Sequence, residues 1–141
     1  MRSITTNSSR TKHVHHTDRW PIKNLQGILI FITNVNHCLP RLFQSISFMW
    51  SSNIVVNGLK SINSQLIHIA IVHCNDVVLR NLKITAPSTS LNTDGIHVQS
   101  STGITISSSM IKTGDDCISI GQGSKNLWID HIACGPGHGI R

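Results

Sequence analysis

Three polar clusters hold the residues that can do chemistry. They read Asn92-Thr93-Asp94-Gly95, Gly114-Asp115-Asp116-Cys117 and Gly137-His138-Gly139. Asp94, Asp116 and His138 are separated by 22 residues at each step. If one turn of a repeating fold takes that many residues, each group lands above the last and all three share a face. The chain has six acidic residues, all Asp, and three of them lie in these clusters. Carboxyl groups beside a histidine suit acid–base cleavage of a glycosidic bond. One carboxylic acid protonates the leaving oxygen, and a carboxylate opposite activates water. Each cluster alone also reads as a turn, because Asp and Gly suit turns. Three clusters in register are what argue for a site.

Something must hold these clusters at a fixed interval. From Asn53 the chain repeats: Ser52-Asn53-Ile54-Val55-Val56, Cys74-Asn75-Asp76-Val77-Val78, Ser101-Thr102-Gly103-Ile104-Thr105 and Lys125-Asn126-Leu127-Trp128-Ile129. Starts at Asn53, Asn75, Thr102 and Asn126 give steps of 22, 27 and 24, the longest containing an outward loop from Ala86 to Asn92. Two further short β-branched runs follow in each repeat, separated by Asn, Gly and Ser. A period in the twenties with three short strands per repeat predicts an all-β chain, a right-handed parallel β-helix over residues 53–134. Ile54, Val77, Ile104 and Leu127 then occupy equivalent positions in coils stacked about 4.8 Å apart. The absence of any long amphipathic pattern argues against folds with crossover helices.

Residues 1–24 are polar, without period, and read as a poorly packed leader; residues 25–141 read as a partial β-helix domain. Leu25 to Val35 reads as a buried strand, Cys38 to Gln44 as a break containing Pro40, and Ile46 to Trp50 as another short strand. His13, His15 and His16 lack the companions of a zinc set and read as exposed polar residues. Asn7-Ser8-Ser9 is a glycosylation sequon, meaningful only on an exported chain. Met1 to Trp20 lacks the apolar stretch of a secretory signal, and no apolar run reaches the length of a membrane span.

The net charge of +6 suits an anionic partner. Five of the twelve Lys and Arg fall in the first 23 residues, so this charge says little about the fold proper. With no Tyr and few aromatics there is no stacking platform for bases. Neither nucleic acid nor a membrane is an expected partner. Cys38, Cys74, Cys117 and Cys134 lack the close pairing of zinc ligands. Buried free thiols and a disulfide both remain open from spacing alone.

Asn-Thr-Asp-Gly, Gly-Asp-Asp-Cys and Gly-His-Gly, in this order, resemble the motifs of the polygalacturonases, family 28 of the glycoside hydrolases. The flanking Gly95-Ile96-His97-Val98, Cys117-Ile118-Ser119-Ile120-Gly121 and Cys134-Gly135-Pro136-Gly137-His138-Gly139-Ile140 look most like the plant members. The match runs from about Asn53 to Ile140. The resemblance implies hydrolysis of α-1,4-galacturonan with inversion. It implies Asp115 as general acid, Asp94 and Asp116 holding the water, and His138 tuning the acid or touching substrate. Asn92, Gly137 and Gly139 are expected to shape or contact the sugar site, and Cys117 is expected to pair with Cys134. The resemblance calls for no metal or cofactor and implies a secreted, monomeric cell-wall enzyme acting on pectin. The family is much longer than this chain. Its Arg and Lys that hold substrate carboxylates lie in a later motif, so little or no hydrolysis is expected of residues 1–141, recovering when later coils are present.

Two other readings compete. One is a Ca²⁺-dependent pectic lyase on the same architecture, disfavoured because only Arg80 and Arg141 lie near these coils. The other is an inactive truncated β-helix. His97 reads as a satisfied, partly buried histidine in a strand; His68, His73 and His131 read the same way. Lys112 reads as a solvated surface lysine. Adjacent Asp115 and Asp116 can both face the groove only if the backbone bends at Gly114.

Overall fold

The structure, a computed structural model, describes the backbone of residues 20–25, 28–32, 34–35 and 44–141, with side chains from 44 onward. The expectations for His13, His15, His16, the sequon and the break around Cys38 and Pro40 lie outside the described residues. So does the burial of the apolar run before Val35.

The described residues contain strands and no helix. Strands β4 (Gln44–Met49), β7 (Ile67–Val72), β10 (Asp94–Gln99), β12 (Asp116–Ile120) and β14 (Gly139–Ile140) form one parallel sheet. A second sheet stacks β5 (Ser51–Asn57), β8 (Asn75–Arg80), β11 (Thr102–Lys112) and β13 (Lys125–Cys134) in parallel. The later half of β11 also pairs with β9 (Lys83–Thr85), which pairs with β6 (Lys60–Ile62), so the long strands bend through a corner. Successive coils therefore stack strand on equivalent strand, and the chain forms an incomplete parallel β-helix.

Ile54, Val77, Ile104 and Leu127 stand in one ladder. The first three are fully buried, and Leu127 packs against the core from the last coil. Val56, Leu79, Ile106 and Ile129 form the next ladder, and Ile69, Ile96 and Ile118 line the facing sheet. Each fully buried Ile or Leu contributes about 1.5–3 kcal/mol by removal from water, as an upper bound.

The corners follow a rule of their own. Asn53, Asp76, Gly103 and Asn126 all have positive φ, between 53° and 71°. Positive φ recurs at Gly58, Asn81, Ser108 and His131, and again at Trp50, His73, Ser100 and Gly123, between 46° and 79°. Left-handed backbone reverses direction in one residue, and Asn, Asp and Gly tolerate it best. Trp50 is the bulky exception, and its ring stacks on His73 in the next coil with centroids 5.3 Å apart. The repeat phase expected from sequence is corrected here at two starts. Asn75 pairs with Ser52 and Thr102 pairs with Lys125, so Asn53 and Asn126 each lie one residue past the register.

At the N-terminal end, β1 (Trp20–Leu25) pairs antiparallel with β2 (Ile28–Ile32). Strand β2 and the short β3 (Asn34–Val35) pair antiparallel with β5. They cover the edge that β5 would otherwise present to solvent.

Candidate active site

The interval of 22 residues is structural between the first two clusters. Ile96 pairs with Ile118 and Val98 with Ile120, so Asp94 and Asp116 come to the same level of neighbouring coils. The third step differs. Asp116 pairs with Gly139 and the register then shifts before Ile118 meets Ile140. His138 is therefore not stacked on Asp116. Its backbone N–H donates to the Asp115 carbonyl at 3.2 Å, and its ring reaches sideways to the Asp115 side chain.

Asn92, Asp94, Asp115, Asp116 and Arg141 line one open cavity of about 390 Å³, with Leu66 and Ile67 completing its wall. That is within the usual size of a small-molecule cleft. His138 Nδ1 lies 2.8 Å from Asp115 Oδ1 and 3.8 Å from Asp116 Oδ1. Arg141 Nη1 lies 3.8 Å from the same Asp116 oxygen. Arg141 thus places a guanidinium inside the cavity, which its position at the edge of the third motif did not announce.

The two adjacent carboxyl groups differ in environment. Asp116 is 9 % exposed, and its Oδ1 has no hydrogen-bond partner among the described residues. Burial pushes its pKa up; Arg141 pulls it down, Asp94 and Asp115 push it further up, and His138 pulls it down. Asp115 is more open and hydrogen-bonded to His138. A protonated Asp115 can donate to Nδ1 of neutral His138, and an imidazolium can donate to ionised Asp115. The pair can thus hold a proton on either side of one short contact. Asp115, Asp116 and His138 also bring one potential ligand atom each within 4.8 Å of one another, close enough to share a cation.

Backbone packing fixes this geometry. The backbone bends at Gly114 and Asp115, as expected, and Gly114 does so without a positive φ. A Cβ there would collide with the Ser90 carbonyl of the 86–93 loop, so Gly114 lets that loop close over the turn. Gly137 has φ 123°, and a Cβ there would strike the carbonyls of Asp115 and Thr113. It lets the His138 turn lie against Asp115. Gly139 lies in β14 opposite Asp116. Buried Thr93 bonds Ser90 at 2.9 Å, and buried Thr113 donates to the carbonyls of Asp115 and Asp116 at 3.3 Å each. The sequence reading passed over both threonines. Cys117 and Cys134 form a disulfide with Cα atoms 5.9 Å apart, tying β12 to the end of β13. Cys74 is free and buried.

The other histidines divide. His97 is half-buried with both ring nitrogens near partners, Ser119 Oγ at 2.8 Å and Gln99 Oε1 at 3.3 Å. His68 is fully buried, with Nδ1 2.7 Å from Ser61 Oγ and Nε2 without a partner among the described residues. His73 and His131 are corner residues with positive φ.

A stacked solenoid carrying this carboxyl cluster on an outer face matches one family. The chain belongs to the glycosyl hydrolases family 28, whose family model matches residues 32–141. It is 54% identical over 96 residues to a polygalacturonase of Prunus persica, covering 68% of this chain and 24% of that protein. It is 48% identical over 96 residues to an exopolygalacturonase of Platanus acerifolia, covering 68% of this chain and 26% of that protein. It is 51% identical over 96 residues to polygalacturonase-2 of Solanum lycopersicum, covering 68% of this chain and 21% of that protein. The chain spans about a quarter of the length of these curated relatives.

Proposed function

We propose that the protein hydrolyses α-1,4 bonds of polygalacturonan by single displacement with inversion, in the plant cell wall. The observation that supports this most is one open cavity lined by Asp94, Asp115 and Asp116, with His138 bonded to Asp115. Asp115 acts as the acid, protonating the leaving oxygen, and the adjoining His138 supplies the route by which its proton returns. Asp94 and Asp116, at one level on neighbouring coils, hold a water and take its proton as it attacks the anomeric carbon. Asn92, on the cavity rim, contacts the sugar; Gly137 and Gly139 let the His138 turn approach it. No metal takes part in these steps. A uronate polymer beside three carboxyl groups needs cations to be held, and Arg141 is the cationic side chain in the cavity wall.

The test is release of reducing ends from polygalacturonate, with and without EDTA, at high protein concentration because the rate of residues 1–141 is expected to be low. Wild type releases reducing ends in both conditions, the first product carries the inverted anomer, and Asp115→Asn lowers the rate at least about 100-fold. Release that stops with EDTA, or that survives Asp115→Asn, overturns the reading. The EDTA arm answers the lyase alternative, which the Asp115, Asp116 and His138 grouping and the nearby Arg141 keep open to test.

A further inference from the structure

Beside the carboxyl cluster runs a second hydrogen-bonded chain. Ser119 Oγ donates to Asp94 Oδ2 at 2.7 Å. Ser119 Oγ also lies 2.8 Å from His97 Nδ1, and His97 Nε2 lies 3.3 Å from Gln99 Oε1. His97 and Ser119 are direct neighbours in the register of β10 and β12. Asp94, Ser119, His97 and Gln99 therefore form one line across the outer face of that sheet, starting at the cavity.

Counting protons fixes the direction of the line. A hydroxyl has one proton, and an ionised carboxylate only accepts. The Ser119 proton goes to Asp94, so the Ser119 oxygen must accept from His97 Nδ1–H. A neutral imidazole has one N–H, so Nε2 is then an acceptor. Gln99 meets it with its amide N–H once the side-chain amide is turned end for end, an assignment that belongs to the hydrogen-bond network. With that turn every group in the line is satisfied and no added charge is needed.

We propose that Ser119 and His97 are positioning residues for Asp94. They tether Oδ2 and leave the other carboxyl oxygen to the cavity that Asp94 shares with Asp115 and Asp116. A carboxylate free to rotate spends much of its time misaligned with the water it must hold, and misplacement by an ångström costs rate rather than affinity. The effect on rate rests on the hydrolase reading above; the hydrogen bonding does not.

Two measurements on the 1–141 chain separate these. Nitrogen NMR of the His97 ring reports the tautomer. The Nδ1–H form is expected in wild type, giving way to Nε2–H in Ser119→Ala; finding Nε2–H in wild type overturns the proposal. On polygalacturonate, Ser119→Ala is expected to lower kcat about 10- to 100-fold with KM changed less than about twofold. Ser119→Thr restores most of the rate, and His97→Ala falls in the same range as Ser119→Ala. Full kcat in Ser119→Ala overturns the proposal. Absence of hydrolysis both by residues 1–141 and with the later coils restored defeats the hydrolase reading, and the tautomer then decides this one alone.

Discussion

Inside strands β10 and β12, buried Ile96 rests on buried Ile118; outside them, Asp94 comes level with Asp116. One register builds both ladders, yet the energies have opposite signs. Stacking like on like is favourable for aliphatic groups, which lose water and gain contacts. The same stacking brings Asp94 beside Asp116, where, after burial and against the pull of Arg141, it adds to the cost of charging Asp116. Strand pairing does not discriminate between the two. The inner ladders stabilise the coils, and the outer ladder is held in an arrangement it would not adopt alone.

The contrast is tested most strongly by cutting the inner ladder. Ile104→Ala, at a fully buried rung with neighbours on both sides, is expected to cost about 2–5 kcal/mol in denaturant unfolding. Ile129→Ala, on a rung with one neighbour in the described coils, should cost distinctly less. Equal losses would show that depth in the stack does not matter.

Next comes the covalent tie between the two faces. Reducing the Cys117–Cys134 bond, which closes a 17-residue separation, is expected to lower stability by about 3 kcal/mol on the chain-entropy model. A melting curve unchanged by reductant would remove it from the account.

The smallest effect is the most diagnostic, because inside and outside respond to pH in opposite directions. The Asp116 pKa is raised in the folded state. Its contribution is therefore fully present below the ordinary Asp value and is lost as pH rises through the raised one. The His68 pKa is lowered by burial. Its contribution is present while the ring is neutral and is lost as pH falls through about 6.5, where the unfolded chain takes up a proton. Thermal melts from pH 4 to 8 should show Asp116→Asn removing the gain on acidification and raising stability near neutrality. His68→Gln should remove the loss. A pH profile identical in wild type and Asp116→Asn would contradict the buried-carboxyl argument.

Much of this was legible in the residues, and the gaps have physical causes. The aliphatic ladders were readable because Ile, Val and Leu recur at a period that only a solenoid explains. The phase slipped by one at Asn53 and Asn126 because like was matched with like. The true equivalents, Asn53, Asp76, Gly103 and Asn126, share a tolerance for positive φ rather than a side chain. The level of Asp94 and Asp116 followed from their interval. The sideways reach of His138 did not, since it depends on a register shift among glycines. Spacing left the cysteine pairing open, and only the family resemblance selected Cys117 with Cys134. That Asp116 is buried and Asp115 open was not readable from two adjacent identical residues. Ser119 stands 22 residues after His97, so its partner was available in the same arithmetic. A serine on an outer face simply carries no compositional signal.

The 86–93 loop sits where β9 ends and β10 begins, and it hands the chain back to the same rung it would have reached without the detour. Its length is thus uncoupled from the ladder. Residues can be added or removed there without shifting any inner side chain, so long as Ser90 still meets Gly114 and Asn92 still reaches the rim. In such an architecture the frame is a fixed quantity and the cavity wall a variable one. Changes in the shape of the cavity wall can be drawn from that loop while Asp94 one residue beyond it stays in place.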